Sequence, residues 1–191
     1  DNFFYPEKAE QILAQYPDVT RGTWDGTTYI HQKNKFTLRR FQEGDLLHDV
    51  FNELNSPPFI RFLERLTGIE GLEGDKKLFG GGLHQSTKGA FLDVHVDFNY
   101  HPETQYHRRL NVLVYMNKDW KDEYEGHLQL WDMERNIMVE KIAPLFNRMA
   151  MFETNEHSFH GHPVPLNTPQ GVSRKSLAVY FYTPTRPATE V

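Results

Sequence analysis

The sequence predicts a mainly β protein of the jelly-roll or barrel type, with α-helices packed against one sheet. After Gly74 the chain consists of short alternating or β-branched runs broken by Gly, Pro, Asn and Asp, which is the pattern of an all-β region. Helical signals are confined to the residues before it. The 191 residues and 38% apolar content suffice for one domain with a sizeable core. We therefore expect a single domain over residues 1–191, with a mostly helical support region at 1–74 and the β core at 75–191.

Three helices are predicted in the first part of the chain, and the first and third carry start and stop signals. Proline is favoured at the first helical position, and glycine or proline follows the last one. In the third helix, apolar residues recur at the i, i+3, i+4, i+7 spacing of one helix face. The helices are predicted from Pro6 to near Pro17, from Leu46 to Leu54, and from Pro57 or Pro58 to Gly68.

The β region is predicted to contain eight short strands, a number that fits a jelly roll or barrel. Turn-forming residues separate the strands. The strands are placed near residues 78–84, 90–97, 109–116, 126–131, 137–142, 148–153, 157–162 and 175–183.

Composition and charge argue against several classes of partner. The net charge of -5 gives no broad basic field, so nucleic acid is not expected as a partner. We find no apolar run long enough to span a membrane and no basic-then-apolar leader, and we expect a cytoplasmic protein. Because the first residue is Asp1, a leader could have been removed. The sequence leaves the oligomeric state open.

The chain contains no cysteine, which excludes disulfides, thiolate nucleophiles and zinc-thiolate sites. Any metal ion must therefore be held by imidazole and carboxylate groups. Those ligands suit iron, manganese, zinc or copper.

The stretch "FLDVHVDFNYH" places a histidine and an aspartate two residues apart in a predicted strand. Side chains alternate between the two faces of a strand, so His95 and Asp97 project from the same face. They can therefore bind one ion together.

A second histidine cluster, "EHSFHGHP", lies on a distant predicted strand. Its residues His157 and His160 must face opposite ways, whereas His160 and His162 share a face, so strand alternation leaves either of the latter two as the third ligand. Two histidines and one carboxylate form a facial triad, which leaves iron(II) open positions for a bidentate cosubstrate and dioxygen. His84 and His101 are interpreted as neighbouring loop or supporting residues.

An anion pocket is predicted beside this centre. In "SRKSLAVYFY", alternation puts Arg174 and Ser176 on one face of the last strand, and an arginine that faces the interior needs an anion. In "RRLNVLVYMNKDW", Asn111 and Tyr115 share a face, and Tyr115 is a suitable neutral donor to assist Arg174. Together with the triad, these residues describe a pocket for a 2-oxo acid.

The chain from about Phe79 to Thr183 resembles the iron(II)- and 2-oxoglutarate-dependent oxygenases, and within them the prolyl-hydroxylase-like branch. The resemblance rests on the combination of "HVD" at 95–97, "YMNKDW" at 115–120, "EGHLQLWD" at 125–132, "IAPLFNRMAMFE" at 142–153, "SFHGH" at 158–162 and "RKS" at 174–176. It implies a double-stranded β-helix with supporting helices on one sheet.

The same resemblance implies roles for individual residues. The iron ligands implied are His95, Asp97 and His160, because the distal histidine of the family is often followed by glycine and a Pro-Val pair, as it is here. The cosubstrate residues implied are Arg174 for the distal carboxylate of 2-oxoglutarate, assisted by Tyr115, Ser176 and Asn111. Gln85 stands where relatives often carry a tyrosine that contacts the cosubstrate.

The implied activity is hydroxylation of an unactivated C–H bond, coupled to conversion of 2-oxoglutarate and O2 to succinate and CO2, with ascorbate as reductant. The substrate can be a peptidyl proline, another protein residue or a small metabolite, because a fold does not select among them. The candidate substrate contacts are Asn99, Arg108, Trp131 and His162. The loop at 98–107 is a candidate lid.

Two other classes use the same residues differently. A zinc or other metal hydrolase or lyase would activate a water molecule on the ion and would not need Arg174 and Tyr115 to face it. A jelly-roll binding module without catalysis would need neither an ion nor a cosubstrate.

Overall fold

The computed structural model describes residues 1–19, 24–29 and 31–188. In the described part, three α-helices precede most of the β structure, and a short 3-10 turn covers Asp122–Tyr124. The elements are α1 Pro6–Ala14, β1 Asp25–Tyr29, β2 Gln32–Leu38, α2 Leu46–Leu54, α3 Pro57–Thr67, β3 Glu73–Gly74, β4 Gly82–His95, β5 His107–Tyr115, β6 Leu128–Asp132, β7 Ile137–Ile142, β8 Arg148–Glu153, β9 Phe159–His162 and β10 Arg174–Thr183.

The three predicted helices all form, and the first and third lie where their start and stop signals place them. Proline occupies the first turn of both α1 and α3, where its missing N–H costs nothing. The helix α3 ends at Gly68, which adopts φ 74° and donates its backbone N–H to Glu64. A left-handed residue at this position is favourable only for glycine. No helix in the described part of the chain is both long and apolar enough to cross a membrane.

The eight predicted strands correspond in place to the seven strands β4 to β10, and the strands β1, β2 and the two-residue β3 were not predicted. The two strands predicted at 78–84 and 90–97 are one strand, β4, whose pairing is irregular around Gly89 at φ 76°. The hairpin of β1 and β2 was missed because it lies in the region that was predicted to be mostly helical. Its residues are largely polar, and β2 is a strand because it pairs with β4 from Gln32 to Leu38.

The strands form a sheet that folds over into two layers. The order is β7-β6-β9-β4-β10-β5-β8, with β2 paired to β4 and β3 to β10. Although β6 and β5 are far apart in this order, Leu128 of β6 packs in one cluster with Leu113 and Tyr115 of β5. The two ends of the sheet therefore face each other, and the architecture is the predicted jelly roll.

The helices cover the outer face of the layer formed by β4, β10 and β5. Ile12 of α1, Phe51 of α2 and Leu63 of α3 pack in one core with Leu177 and Val179 of β10. Since side chains alternate along a strand, Arg174, Ser176 and Tyr180 face the space between the two layers. The apolar core therefore lies on the helix side of this layer, and polar side chains lie on its inner face, between the two layers.

Candidate metal centre and anion pocket

The space between the two layers is a cavity with an empty volume of about 540 Å³, which includes open solvent. Residues from six strands and the segment after β4 line it. They are Lys35, His84, Ser86, Leu92, His95, Asp97, Asn111, Leu113, Leu128, His160, Gly161, His162, Arg174, Ser176 and Tyr180.

Three predicted ligands converge at one end of this cavity. The donor atoms of His95, Asp97 and His160 all lie within 4.8 Å of one another. His95 ends β4 and is the register partner of His160 on β9, whereas Asp97 follows two residues later. The Nε2 atoms of His95 and His160 lie 3.7 Å and 3.8 Å from the carboxylate oxygens of Asp97. Ligands that each bind one ion at about 2 Å lie about 3–4 Å apart.

Both histidines are held in the orientation that metal binding requires. The Nδ1 of His95 lies 2.9 Å from the carbonyl oxygen of Asp93, and the Nδ1 of His160 lies 2.9 Å from that of Ser158. A carbonyl can only accept, so each Nδ1 carries the proton and each Nε2 offers its lone pair to the centre. Burial lowers the pKa of His160 below its usual value, which keeps its ring neutral.

Asp97 is held ionised by two donors behind it. The guanidinium of Arg108 lies 3.0 Å from its Oδ2, and the side-chain amide of Asn111 donates to the same oxygen at 3.2 Å. Burial opposes ionisation, but His95 and Arg108 outweigh it and lower the carboxyl pKa well below its usual range. The Oδ1 atom stays available to an ion.

Arg108, which was predicted to contact the substrate, is paired with the candidate metal ligand Asp97. Its side chain is only 1% exposed and lies between the rings of Phe98 and Tyr180, at 3.7 Å and 3.9 Å from their centroids. It is enclosed and paired with Asp97, so it supports a candidate ligand, while its Nε and Nη2 have no hydrogen-bond partner among the described residues. Asn111, which was predicted to bind the cosubstrate, also contacts Asp97 while lining the cavity.

Arg174 lines the same cavity and is fixed by two neighbours. Its Nε donates to the carbonyl of Gly126 at 2.7 Å, and its Nη2 donates to the hydroxyl of Tyr115 at 3.3 Å. Burial raises the pKa of Tyr115 against the influence of Arg174, so the phenol stays neutral. The remaining N–H groups of the guanidinium can bind a carboxylate, and Ser176 lines the same cavity.

The geometry separates the histidines that strand alternation left open. His160 lies in the group of donor atoms with His95 and Asp97, whereas His162 lines the cavity outside that group. His162 is the partner of Leu92 across the strand pair, and its Nδ1 has no hydrogen-bond partner among the described residues. Burial and the charge of Arg174 lower its pKa well below the usual value. His157, which alternation turned to the opposite face from His160, is exposed.

Gln85 does not line the cavity, so the contact predicted for it is corrected. Its neighbours His84 and Ser86 face inward, and strand alternation turns Gln85 to the other side of β4. There its amide donates to the hydroxyl of Ser173 at 2.6 Å. The family resemblance placed Gln85 on the correct strand but on the wrong face of that strand.

Replacement of Gln85 by alanine is expected to leave the affinity for 2-oxoglutarate within about twofold, because its side chain does not line the cavity. Loss of the bond to Ser173 should lower the free energy of unfolding by about 1 kcal/mol. Isothermal titration and urea denaturation measure the two effects. A large loss of affinity with an unchanged unfolding curve would contradict the placement of Gln85.

Of the other predicted substrate residues, His162 lines the cavity, whereas Asn99 and Trp131 lie outside its lining. The indole N–H of Trp131 donates to Gln129 at 3.0 Å, and the backbone carbonyl of Asn99 accepts from Arg108 at 2.7 Å. The loop at 98–107 forms a compact turn, in which His101 N donates to Tyr106 O at 2.8 Å. The imidazole of His101 lies 3.5 Å from Asp75, away from the candidate metal centre.

Sequence reasoning missed three polar residues of the cavity. His84 was interpreted as a loop or supporting residue; it is a buried strand residue that faces inward, and burial with the charge of Lys35 lowers its pKa well below the usual value. Ser86 lies beside it on the same face. Lys35 was missed because β2 was missed, and alternation along β4 could have found only the first two.

The cavity fits an iron(II) ion and a 2-oxo dicarboxylate. Two imidazoles and one carboxylate are the donor set of non-haem iron(II) oxygenases. The guanidinium of Arg174 and the orphaned Nδ1 of His162 provide polar groups that a bound ligand could satisfy. A jelly roll with this donor set defines a class of metal-dependent oxygenases.

Comparison with known families identifies the class further. The model of the 2OG-Fe(II) oxygenase superfamily matches residues 81–182. The chain belongs to this superfamily, which does not favour the hydrolase, lyase or silent binding module.

A mouse (Mus musculus) relative, prolyl 3-hydroxylase OGFOD1, is 30% identical over 173 residues, which are 84% of this chain and 29% of that protein. The chain therefore spans less than a third of the length of this relative. The similarity between the two sequences supports the prolyl-hydroxylase-like assignment of this chain.

Solved structures share the fold. A prolyl-4-hydroxylase from Pseudomonas putida superposes with a TM-score of 0.67 at 14% identity, covering 95% of this chain and 89% of that one. A prolyl hydroxylase from Trichoplax adhaerens, in complex with a hypoxia-inducible-factor degradation-domain peptide, gives 0.64 at 18% identity, covering 95% and 81%. These likenesses confirm the double-stranded β-helix.

Proposed function

We propose that the protein is an iron(II)- and 2-oxoglutarate-dependent dioxygenase that hydroxylates a C–H bond of a prolyl residue in a peptide or protein. The observation that carries this proposal is one cavity that holds both a facial set of two histidines and a carboxylate and a fixed guanidinium. The first can hold the ion, and the second can hold a dicarboxylate.

In this proposal His95, Asp97 and His160 hold iron(II) on one face and leave its other positions to ligands. When bound, iron(II) with 2-oxoglutarate and O2 supplies the chemistry that inserts one oxygen atom into the C–H bond and releases succinate and CO2. The protein residues position the reactants. Arg174 binds the distal carboxylate of 2-oxoglutarate, and Tyr115 and Ser176 complete that end.

The supports behind the ligands fix the shape of the centre. Arg108 and Asn111 both bind Oδ2 of Asp97, so Oδ1 faces the ion. The carbonyls of Asp93 and Ser158 keep the two imidazole rings in one tautomer. Such neighbours usually change metal affinity by about 10- to 100-fold when they are removed.

The accessible side of the centre is the side of His95. The side chain of His95 is 34% exposed, whereas that of His160 is 6% exposed. We infer that the substrate approaches past His95. His162, Asn99 and Trp131 stay candidate substrate contacts.

A peptidyl prolyl substrate is supported by two likenesses. The mouse relative is named a prolyl 3-hydroxylase, and the Trichoplax adhaerens enzyme of the same fold was solved with a peptide. We further propose that residues 1–191 act as one catalytic domain and that ascorbate keeps the iron reduced. The cytoplasmic location stays a prediction.

The activity is tested by incubating the protein with iron(II), 2-oxoglutarate and ascorbate under air. Succinate is measured first without substrate and then with a library of proline-containing peptides, whose products are read by mass spectrometry. We expect a peptide that gains one oxygen atom on proline and raises succinate in equal amount. Omission of ascorbate should reduce the number of turnovers.

Two controls separate this proposal from its alternatives. Zinc in place of iron(II) should give no succinate, because zinc has no redox chemistry. A zinc-supported hydrolysis without 2-oxoglutarate would contradict the oxygenase. A free amino acid or other metabolite that gains oxygen, while no peptide does, would contradict the peptidyl substrate but keep the reaction.

A further inference from the structure

A second cation lines the same cavity as Arg174. Lys35 of β2 faces the interior together with His84 and Ser86 of β4. The residue as a whole is partly exposed, but its ammonium group lies in the crowded interior, and burial lowers its pKa to about 8. Among the described residues it makes no hydrogen bond or ion pair.

Strand pairing places Lys35 and Arg174 on opposite sides of Ser86. Lys35 is the register partner of Ser86 across β2 and β4, and Arg174 is its partner across β4 and β10. Neighbouring strands lie about 4.8 Å apart, so the two backbone positions are about 10 Å apart. The two cations therefore stand in one row with their side chains in the same cavity.

A change of register turns Lys35 inward. Lys33 pairs with Phe91 and Lys35 with Ser86, so the pairing shifts between them. Asn34 lies at the shift with φ 52°, and its amide donates to the carbonyl of Lys88 at 3.1 Å. As a result Lys33 faces solvent and Lys35 faces the cavity.

The charges of the cavity call for an anion near Lys35. The one acidic residue of the lining is Asp97, and its Oδ2 is already bound by Arg108 and Asn111. A divalent ion would add further positive charge. Asp97 raises the pKa of Lys35 and Arg174 lowers it, because the ammonium group shares one cavity with both charges.

We propose that Lys35 is the second cation of the cosubstrate site: it binds the carboxylate next to the keto group of 2-oxoglutarate, whereas Arg174 binds the distal carboxylate. This inference rests on the proposed function. It assigns one cation to each end of a dicarboxylate, and it gives the β1–β2 hairpin a role in the active site.

The test compares two ligands that differ only at the distal end of the site. 2-Oxobutanoate keeps the keto acid end and lacks the distal carboxylate. Binding of both acids is measured by calorimetry on the manganese(II)-loaded protein, in which no turnover occurs. The variants are Lys35→Met, Arg174→Met and, as a matched control on the same strand, the solvent-facing Lys33→Met.

We expect Lys35→Met to weaken binding of both acids by about 10-fold or more, because a hydrogen bond to a charged group is lost. Arg174→Met should weaken binding of 2-oxoglutarate and leave 2-oxobutanoate unchanged. Lys33→Met should bind both acids as the unaltered protein does.

Proton uptake by the unaltered protein gives a second readout that needs no variant to fold. Binding of an anion raises the pKa of Lys35 above 8, so complex formation near pH 8.5 should take up protons, whereas near pH 6.5 the lysine is already charged and uptake should vanish. Of the groups that face Lys35, His84 and His162 stay neutral in this range and Asp97 stays ionised, because their pKa values lie well below it. Calorimetry in buffers of different ionisation enthalpy measures the uptake.

Three results would overturn parts of this scheme. If Lys35→Met binds each acid as tightly as the unaltered protein does, and the unaltered protein takes up no protons on binding, Lys35 is not part of the site. The proposed function still stands in that case. Loss of affinity for 2-oxoglutarate alone in Lys35→Met overturns the assignment to the keto acid end. If the unaltered protein binds neither acid, the proposed function fails, and this inference fails with it.

Discussion

Replacement of His160 by alanine is expected to abolish both metal binding and succinate formation. The side chain supplies one of the three donors that converge within 4.8 Å. Removing a neighbour of a ligand costs about 10- to 100-fold in metal affinity, and removing the ligand itself should cost more. Anaerobic equilibrium dialysis with iron(II) measures the binding, and the succinate assay measures turnover.

His162→Ala is the informative comparison, because both histidines face the cavity on the same strand. We expect His162→Ala to keep its iron, while His157→Ala, at an exposed position, should match the unaltered protein in both assays. Loss of iron from His162→Ala with retention by His160→Ala would reverse the assignment of the distal ligand.

Replacement of Arg174 by methionine should raise the KM for 2-oxoglutarate by about 100-fold or more, since the loss of a buried charge partner of a carboxylate costs about 3 kcal/mol. The effect should be this large because Gly126 and Tyr115 hold the guanidinium in place. Steady-state kinetics at saturating substrate measure the change.

Metal binding supplies the internal control for Arg174→Met, because Arg174 is absent from the group of candidate ligands. Lys175→Met is the matched variant: its side chain turns away from the cavity and donates to Ser173 at 2.9 Å. Both variants should bind iron(II) normally, and Lys175→Met should keep the KM. An unchanged KM in Arg174→Met would remove the anion anchor from the proposal.

The sequence determined the parts of the fold that local physics controls. Pro6 and Pro57 start helices and Gly68 ends one, because proline and glycine restrict or extend the backbone in the same way in any context. Strand alternation correctly placed Arg174 and Ser176 on the cavity face of β10. The pair of His95 and Asp97 was found for the same reason.

Alternation alone could not settle the rest of the site. It could not separate His160 from His162, since both face inward; the pairing of His160 with His95 and its distance of 3.8 Å from Asp97 did so. Gln85 was assigned by resemblance to a position that alternation turns away from the cavity. Arg108 was predicted at the substrate, because nothing in the sequence shows that Asp97 and two aromatic rings enclose it.

By itself, the sequence determined the order of the elements, the metal-binding residue types and the face on which most of them lie, because these follow from periods of 2 and 3.6 residues along the chain. Only the tertiary structure decided which distant side chains meet. It brought Lys35 into the cavity through a polar hairpin whose strand depends on pairing with β4. Such pairing joins residues far apart in sequence, so no local pattern contains it.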